Sequence, residues 1–184
     1  MSRLRKVLLA LAALIVLLAG LVLTGIYRSG AWYLLFPSHE HDAVAPEIPA
    51  DFGAGAALRV LVFSKTNSFR HEEGIAGARR LLDAIAARRG FALFHSENGA
   101  LFDPAHLARF DVVVFSNASG DMLSAEQERA FEAWLLAGGG WLGIHSAGDA
   151  SHAAWTWYRD ELIGADFIGH IMGPQTQKAR VVVE

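Results

Sequence analysis

The sequence predicts an α/β fold in which helices cover both faces of a parallel β-sheet, preceded by an N-terminal transmembrane helix. From Leu58 onward, short apolar runs alternate with amphipathic segments, and the links between them are short. Near-continuous apolar runs are typical of parallel strands that are buried on both faces. Strand–helix alternation with short links gives parallel strands joined by right-handed crossovers. A long uncharged run at the N-terminus predicts the transmembrane helix.

That run covers residues 7–26, which is 20 residues without a charge. It is long enough to cross a bilayer core of roughly 30 Å. Arg3, Arg5 and Lys6 precede it, so the positive-inside bias places the N-terminus in the cytoplasm and the domain on the periplasmic side. The run exceeds the apolar core of a signal peptide, which has about 7–15 residues. We therefore expect residues 1–30 to be an uncleaved anchor in the inner membrane, with a cleaved signal peptide as the alternative.

The charge balance argues against nucleic acid as a partner. Residues 1–30 hold four of the 16 Lys and Arg residues and none of the 19 Asp and Glu residues. The remainder therefore has 12 basic and 19 acidic residues, a net charge of −7. A nucleic-acid-binding domain usually carries a basic face instead.

Residues 31–57 predict a linker between the anchor and a domain over residues 58–184. Trp32 and Tyr33 suit the membrane–water interface, and Pro37, Pro46 and Pro49 interrupt any regular pattern.

Within the domain, strands are predicted over 58–63, 91–95, 111–115, 141–145 and 180–183, with helices over 72–89 and from a capping box at 124–127 to Ala137. Residues 138–140, three glycines, precede a strand, so they predict a helix cap and tight turn rather than a phosphate cradle. Ligands of such sheets bind beyond the carboxyl ends of the strands.

One strand end carries the spacing of a nucleophile elbow. His145 follows the predicted fourth strand, with the small residues Gly143 and Ala147 two positions to either side. A sharp strand-to-helix turn of this kind presents its central side chain to solvent. The chain has no Cys, so a thiol mechanism is excluded. We expect His145 to act as an acid, a base or a ligand, and the alternative is a strand-end histidine that binds a neighbouring carbonyl.

Further candidates follow the strand ends. Arg70 and His71 come after the first strand, either as catalytic residues or as a solvated pair that opens a helix. Lys65 is a weaker candidate for substrate binding. A helix is predicted directly after the elbow, and Asp149 either orients His145 from one helical turn away or caps that helix.

The segment after the elbow offers aromatic and histidine candidates. Trp157 and Tyr158, next to Trp155, suit the C–H faces of a sugar, with core packing as the alternative. His170 is a candidate for substrate binding. No cofactor is predicted, although zinc is possible if His71, His145 and His170 converge around an open position. The remaining histidines are interpreted as surface or packing residues: His39, His41, His95, His106 and His152.

Four motifs resemble the ThuA-like (trehalose utilisation) family, whose fold is similar to flavodoxin-like class I glutamine amidotransferases. They are FSKTNSFRH (63–71), GGGWLGIHSAGD (138–149), WY (157–158) and LIGADFIGH (162–170). The resemblance implies a small-molecule carbohydrate as the partner. It places His145 where an amidotransferase has its Cys, so it implies no glutamine hydrolysis. Family domains continue further, so the resemblance implies that 58–184 is incomplete.

Three functional hypotheses remain. The chain is a membrane-anchored enzyme that acts on a carbohydrate through His145, a non-catalytic sugar-binding module, or an incomplete product without independent function. Turnover that disappears in His145→Ala separates the first two.

Overall fold

The structure, a computed structural model, describes residues 2–29, 31–165 and 167–170 and the single positions 173, 178, 180 and 182. Two helices come first, α1 (Arg3–Arg28) and α2 (Trp32–Leu35). No residue of α1 is buried. α1 is long and apolar enough to cross a membrane. A signal sequence near the N-terminus meets the same criteria of length and composition, so these two features do not distinguish an anchor from a signal sequence.

A four-stranded parallel sheet forms the centre of the domain. Its strands are β1 (Leu58–Phe63), β2 (Phe91–Ser96), β3 (Val112–Ser116) and β4 (Gly140–Ile144), in the order β2-β1-β3-β4. β1 therefore lies between β2 and β3, as expected for a run that is apolar on both faces. The prediction of a parallel α/β sheet is confirmed.

The helices of the domain are α3 (Glu72–Arg89), α4 (Pro104–Leu107) and α5 (Ala125–Leu136). α3 has acidic residues in its first turn and basic residues in its last, and it ends at Gly90, whose φ of 69° favours glycine. α5 begins with the predicted capping box, in which both reciprocal hydrogen bonds between Ser124 and Gln127 are present.

Alternate residues of β1 point to opposite faces of the sheet and build two separate cores. Leu61 and Phe63 join the larger core, together with Phe131 of α5. Val60 and Val62 join the smaller core, against which Leu82 of α3 packs. Helices therefore cover both faces of the sheet, as the sequence predicts.

The segment predicted as a linker needs correction from Ser38 onward. Lys65 forms an ion pair with Asp42 at 2.5 Å, and Arg109 donates to the carbonyl oxygens of Ile48 (2.9 Å) and Pro49 (2.7 Å). Ile48 is itself part of the larger core. Proline and glycine interrupt regular secondary structure here, but they do not prevent tertiary contacts. We call residues 38–49 the strap.

The region after β4 also differs from prediction. Instead of an elbow α-helix, the chain forms 3₁₀ turns over His145–Gly148 and Ala150–His152 and then a π-helix over Tyr158–Ile163. Residues 181 and 183 of the predicted fifth strand lie outside the described residues, so that strand stays a prediction.

Candidate functional site

The loops that follow β1, β3 and β4 meet at one edge of the sheet, because the three strands are parallel. We call this the carboxyl edge: residues 64–71, 117–121 and 145–149. It holds His71 after β1, Asn117 after β3 and His145 after β4.

His145 occupies a sharp left-handed turn immediately after β4. Its φ is 55°, which is uncommon for a non-glycine residue, and its side chain is exposed. Such a conformation costs on the order of 1–3 kcal/mol and persists only where its surroundings hold it. A Cβ at Gly143 would lie 2.7 Å from the ring of Trp141 and 3.4 Å from the Cβ of Ala147. A side chain at position 143 would therefore collide with the Trp141 ring, whereas it would only contact Ala147 across the turn.

Three hydrogen bonds hold the backbone of this turn. Asn117 N donates to the carbonyl oxygen of Ile144 at 3.1 Å. The Tyr158 hydroxyl donates to the carbonyl oxygen of Ala147 at 2.6 Å. His152 Nε2 lies 3.1 Å from the carbonyl oxygen of Ser146, and since a carbonyl only accepts, Nε2 carries the proton.

His152 and Tyr158 therefore support the elbow from inside the protein. Burial lowers the pKa of His152 and raises the pKa of Tyr158. Both residues are buried, with exposed fractions of 5% and 1%. The interpretation of His152 as a surface or packing residue overlooked this role, which only the fold reveals.

The predicted sugar platform of Trp157 and Tyr158 is wrong for Tyr158, which no ligand can reach. Its ring stacks on Phe115, at a centroid distance of 5.8 Å, and on Trp155, at 4.8 Å. Trp157 is half-buried and packs against the same core. The aromatic cluster follows the alternative interpretation, core packing.

His71 and His145 are in direct contact. Their ring centroids are 4.3 Å apart, and the rings are nearly perpendicular, at 79°. His71 stands at the N-cap of α3 without capping it through its side chain. The pKa of His71 is lowered, first by burial and then by the neighbouring His145, although the Asp149 carboxylate acts in the opposite direction. The neutral form of the His71 imidazole is therefore favoured over the charged form.

The two imidazoles open into a cavity of about 200 Å³. Its walls are His71, His145, Ser146, Gly148, Asp149, Phe167 and His170. The three histidines that the sequence singled out thus line one cavity. Asp149 also lines it, while its carboxylate accepts hydrogen bonds from the backbone N–H (2.8 Å) and the hydroxyl of Ser151. This is the capping interpretation of Asp149, applied to the turn at Ala150–His152.

The three histidines share a wall without forming a metal site in the described part of the chain. There, no group of three or more His, Asp or Glu side chains has the arrangement needed to hold a metal ion.

Lys65 and Arg70 face a different cavity. Lys65 is 8% exposed and pairs with Asp42, and Arg70 pairs with Glu72 and Glu97, each at 2.8 Å. Glu97 is the largest cause of the raised pKa of Arg70. Both cations line a cavity of about 470 Å³ beside the ends of α1 and α2. Carboxylates thus hold Arg70 and Lys65 in that neighbouring cavity, which His71 and His145 do not line, and the roles predicted for the two cations stay predictions.

Asn117 supports the backbone of the elbow, and sequence reasoning missed it. It is 2% exposed and has a φ of 54°, so β3 and β4 are each followed by a left-handed non-glycine residue. Its Oδ1 and the Cβ of His71 both lie within 3.3 Å of the point where a Gly74 Cβ would stand. Asn tolerates this backbone conformation better than most residues, which was the available signal.

A parallel sheet with a left-handed elbow residue at its carboxyl edge defines an α/β protein of the class that places its site beyond the strand ends. The family model for trehalose utilisation, ThuA, matches residues 59–184. The chain belongs to the ThuA family.

A solved structure, that of a ThuA-like protein from Bacteroides uniformis, shares this fold. The TM-score is 0.52 and the sequence identity is 22%, over 67% of this chain and 50% of that chain. This chain therefore spans half the length of that protein. No curated protein matches the chain.

Proposed function

We propose that this chain is a membrane-anchored ThuA-like domain that binds a carbohydrate in the cavity of His71 and His145 and acts on it by general acid/base chemistry. The observation that carries the proposal is the contact between the two imidazoles at the strained elbow, 4.3 Å between ring centroids. A strained residue held rigidly at a strand end is typical of functional sites.

The histidine pair suits proton transfer. Burial and the neighbouring His145 lower the pKa of His71, which favours the neutral, proton-accepting form of the His71 ring. His71 therefore suits the role of the base, and His145, in contact with it, is the second group proposed for proton transfer. An imidazole does not replace the thiolate of an amidotransferase, so the proposal includes no glutamine hydrolysis.

A sugar is the ligand that the family description supports, since that description is trehalose utilisation. The cavity wall supports it as well. Phe167 is 38% exposed and lines the cavity, which gives the C–H face of a sugar ring an aromatic surface. Asp149 adds a polar group beside it.

The test is turnover by the full-length chain, purified in detergent, with trehalose, glucose and a keto-sugar as probes. Acid/base groups typically contribute about 10²–10⁴-fold to rate. We expect His145→Ala to lower turnover by about 10²-fold or more at an unchanged melting temperature. His106→Ala is the control, since His106 contacts Asp103 at the start of α4. Full turnover in His145→Ala would refute the acid/base role.

The imidazole in place of a nucleophile favours one alternative, a non-catalytic sugar-binding module. Calorimetry with the same probes separates the two functions. Binding without turnover in the wild type, with affinity retained in His145→Ala, identifies the binding module.

The membrane anchor rests on α1, which is apolar and buries no residue against the domain. Three basic residues, Arg3, Arg5 and Lys6, precede its apolar run, so we propose that the domain lies on the periplasmic side. The full chain should float with phospholipid vesicles in a density gradient, and residues 31–184 alone should not. A chain recovered from cells without residues 1–30 would show a cleaved signal instead.

A further inference from the structure

We infer that the carboxyl edge, with the cavity of His71 and His145, faces the membrane surface, so that the site meets its ligand at the lipid headgroup layer. The inference rests on the proposed anchor. It concerns the orientation of the domain, which the fold alone does not set.

The first argument is the attachment of the strap. Directly after α2, Ser38 N donates to the carbonyl oxygen of Asn67 at 2.8 Å, and Asn67 Nδ2 donates to the carbonyl oxygen of Glu40 at 3.1 Å. Asn67 belongs to the loop after β1. The chain leaving the membrane helix is therefore fixed to the carboxyl edge and not to the opposite edge.

A second loop of the same edge holds the strap as well. Asp121 lies in the loop after β3. One of its carboxylate oxygens is 3.1 Å from His39 Nδ1, and the other is 3.0 Å from His41 Nε2. Asn67 Nδ2 also donates to the Asp121 carbonyl oxygen, at 2.5 Å. The strap is thus tied to the ends of two neighbouring strands.

The second argument is distance along the chain. α1 ends at Arg28 and the first tie is at Ser38. Ten residues span at most about 35 Å when fully extended, and part of this stretch is helical. The end of α1 and the carboxyl edge in fact line one cavity of about 470 Å³, in which Tyr27, Arg28 and Tyr33 face Lys65, Arg70 and Glu97.

The third argument is chemical. Tyr27 and Tyr33 are residues that favour the membrane–water interface. The cavity carries both signs of charge, since Arg28 and Arg70 lie with Glu72 and Glu97. Charges of both signs fit a zwitterionic headgroup, with its phosphate and its ammonium group. The exported part has a net charge of −7, so attraction to an anionic surface does not set the orientation.

Helix α3 provides the test. It starts at the carboxyl edge and ends at Gly90, whose carbonyl oxygen accepts from Ala57 N beside the start of β1. Glu73 and Arg88 are exposed near its two ends, about 22 Å apart along the axis. Because the chain has no Cys, Glu73→Cys and Arg88→Cys each accept one fluorophore at a single position.

The two labelled full-length proteins are reconstituted into phosphatidylcholine vesicles that contain an acceptor-labelled headgroup lipid, and energy transfer is measured. Transfer should be clearly stronger from position 73 than from position 88. Inserting 15 Gly and Ser residues after Ser29 should abolish the difference, because such a segment is a flexible coil.

Equal transfer from both positions, or stronger transfer from position 88, overturns the inference while the anchor stands. If transfer from position 73 is still stronger after the insertion, the attachment of the strap does not set the orientation, and the argument from the strap fails. Failure of the labelled proteins to float with the vesicles overturns the anchor and the inference together.

Discussion

Two buried serines near the elbow differ in whether the hydroxyl has a hydrogen-bond partner. The Ser146 hydroxyl is buried and has none in the described part of the chain. The Ser119 hydroxyl donates to the carbonyl oxygen of Phe69 at 2.8 Å. Burying an unpaired hydroxyl costs free energy, whereas a paired one contributes about 1 kcal/mol.

Ser146→Ala should therefore leave the free energy of unfolding unchanged or raise it, and Ser119→Ala should lower it by about 1–2 kcal/mol. Urea unfolding of the two variants and the wild type measures the difference. A loss of stability in Ser146→Ala equal to that in Ser119→Ala would show that the Ser146 hydroxyl has a partner.

His71 gives stability a defined dependence on pH. Its pKa in the folded protein is lowered by burial and by His145, so the unfolded chain binds the proton first as the pH falls. The stabilising contribution of neutral His71 is present above the ordinary pKa of about 6.5 and is lost as the pH falls. His71→Gln removes that contribution. The melting temperature of the wild type should therefore fall more steeply than that of His71→Gln between pH 7 and pH 5.5, and parallel curves would contradict this.

For individual residues, the sequence predicted which side chains lie at strand ends but not which of them are buried. The elbow spacing located His145, because the small residues around it follow from local geometry. The burial of Tyr158 and the pairing of Lys65 with Asp42 depend on segments that are distant in sequence. No local pattern marks such contacts.

Among the helices and strands, α5 has the starting point that the local sequence specifies most clearly. Ser124 Oγ accepts from Gln127 N at 3.4 Å, and Gln127 Oε1 accepts from Ser124 N at 2.9 Å. Ser124→Ala should lower the free energy of unfolding by about 1 kcal/mol, the usual contribution of an N-cap. Ser124→Thr keeps a hydroxyl acceptor at the N-cap and should cost less. Urea unfolding compares them, and equal losses would show that the cap is not what matters.

The elements that the sequence predicted well carry their signals locally. α3 has charged residues that suit both of its ends and a glycine after its last turn. The strands are short apolar runs. The turns after β4 lack such signals, because His152 and Tyr158 shape them through hydrogen bonds to the backbone of the elbow. An α-helix was the natural expectation there, and it was wrong.

For the whole molecule, the sheet and its two covered faces followed from the alternation of strand and helix patterns. The strap did not, because its contacts come from far along the chain. Gln127 Nε2 donates to the carbonyl oxygen of Asp42 at 2.8 Å, and Arg109 binds the backbone at residues 48 and 49. A segment rich in proline is predicted as a linker when its tertiary contacts are not known.

Under the proposed anchoring, the strap also determines where a protease can release the domain. Because residues 38–49 are hydrogen-bonded to the domain, a protease that frees it has to cut between Ser29 and Ser38. The released product would keep the histidine cavity intact but lose Tyr27 and Arg28, two walls of the larger cavity. Under the proposed function, a single cleavage would therefore separate the site from the lipid surface while leaving the residues that line the histidine cavity unchanged.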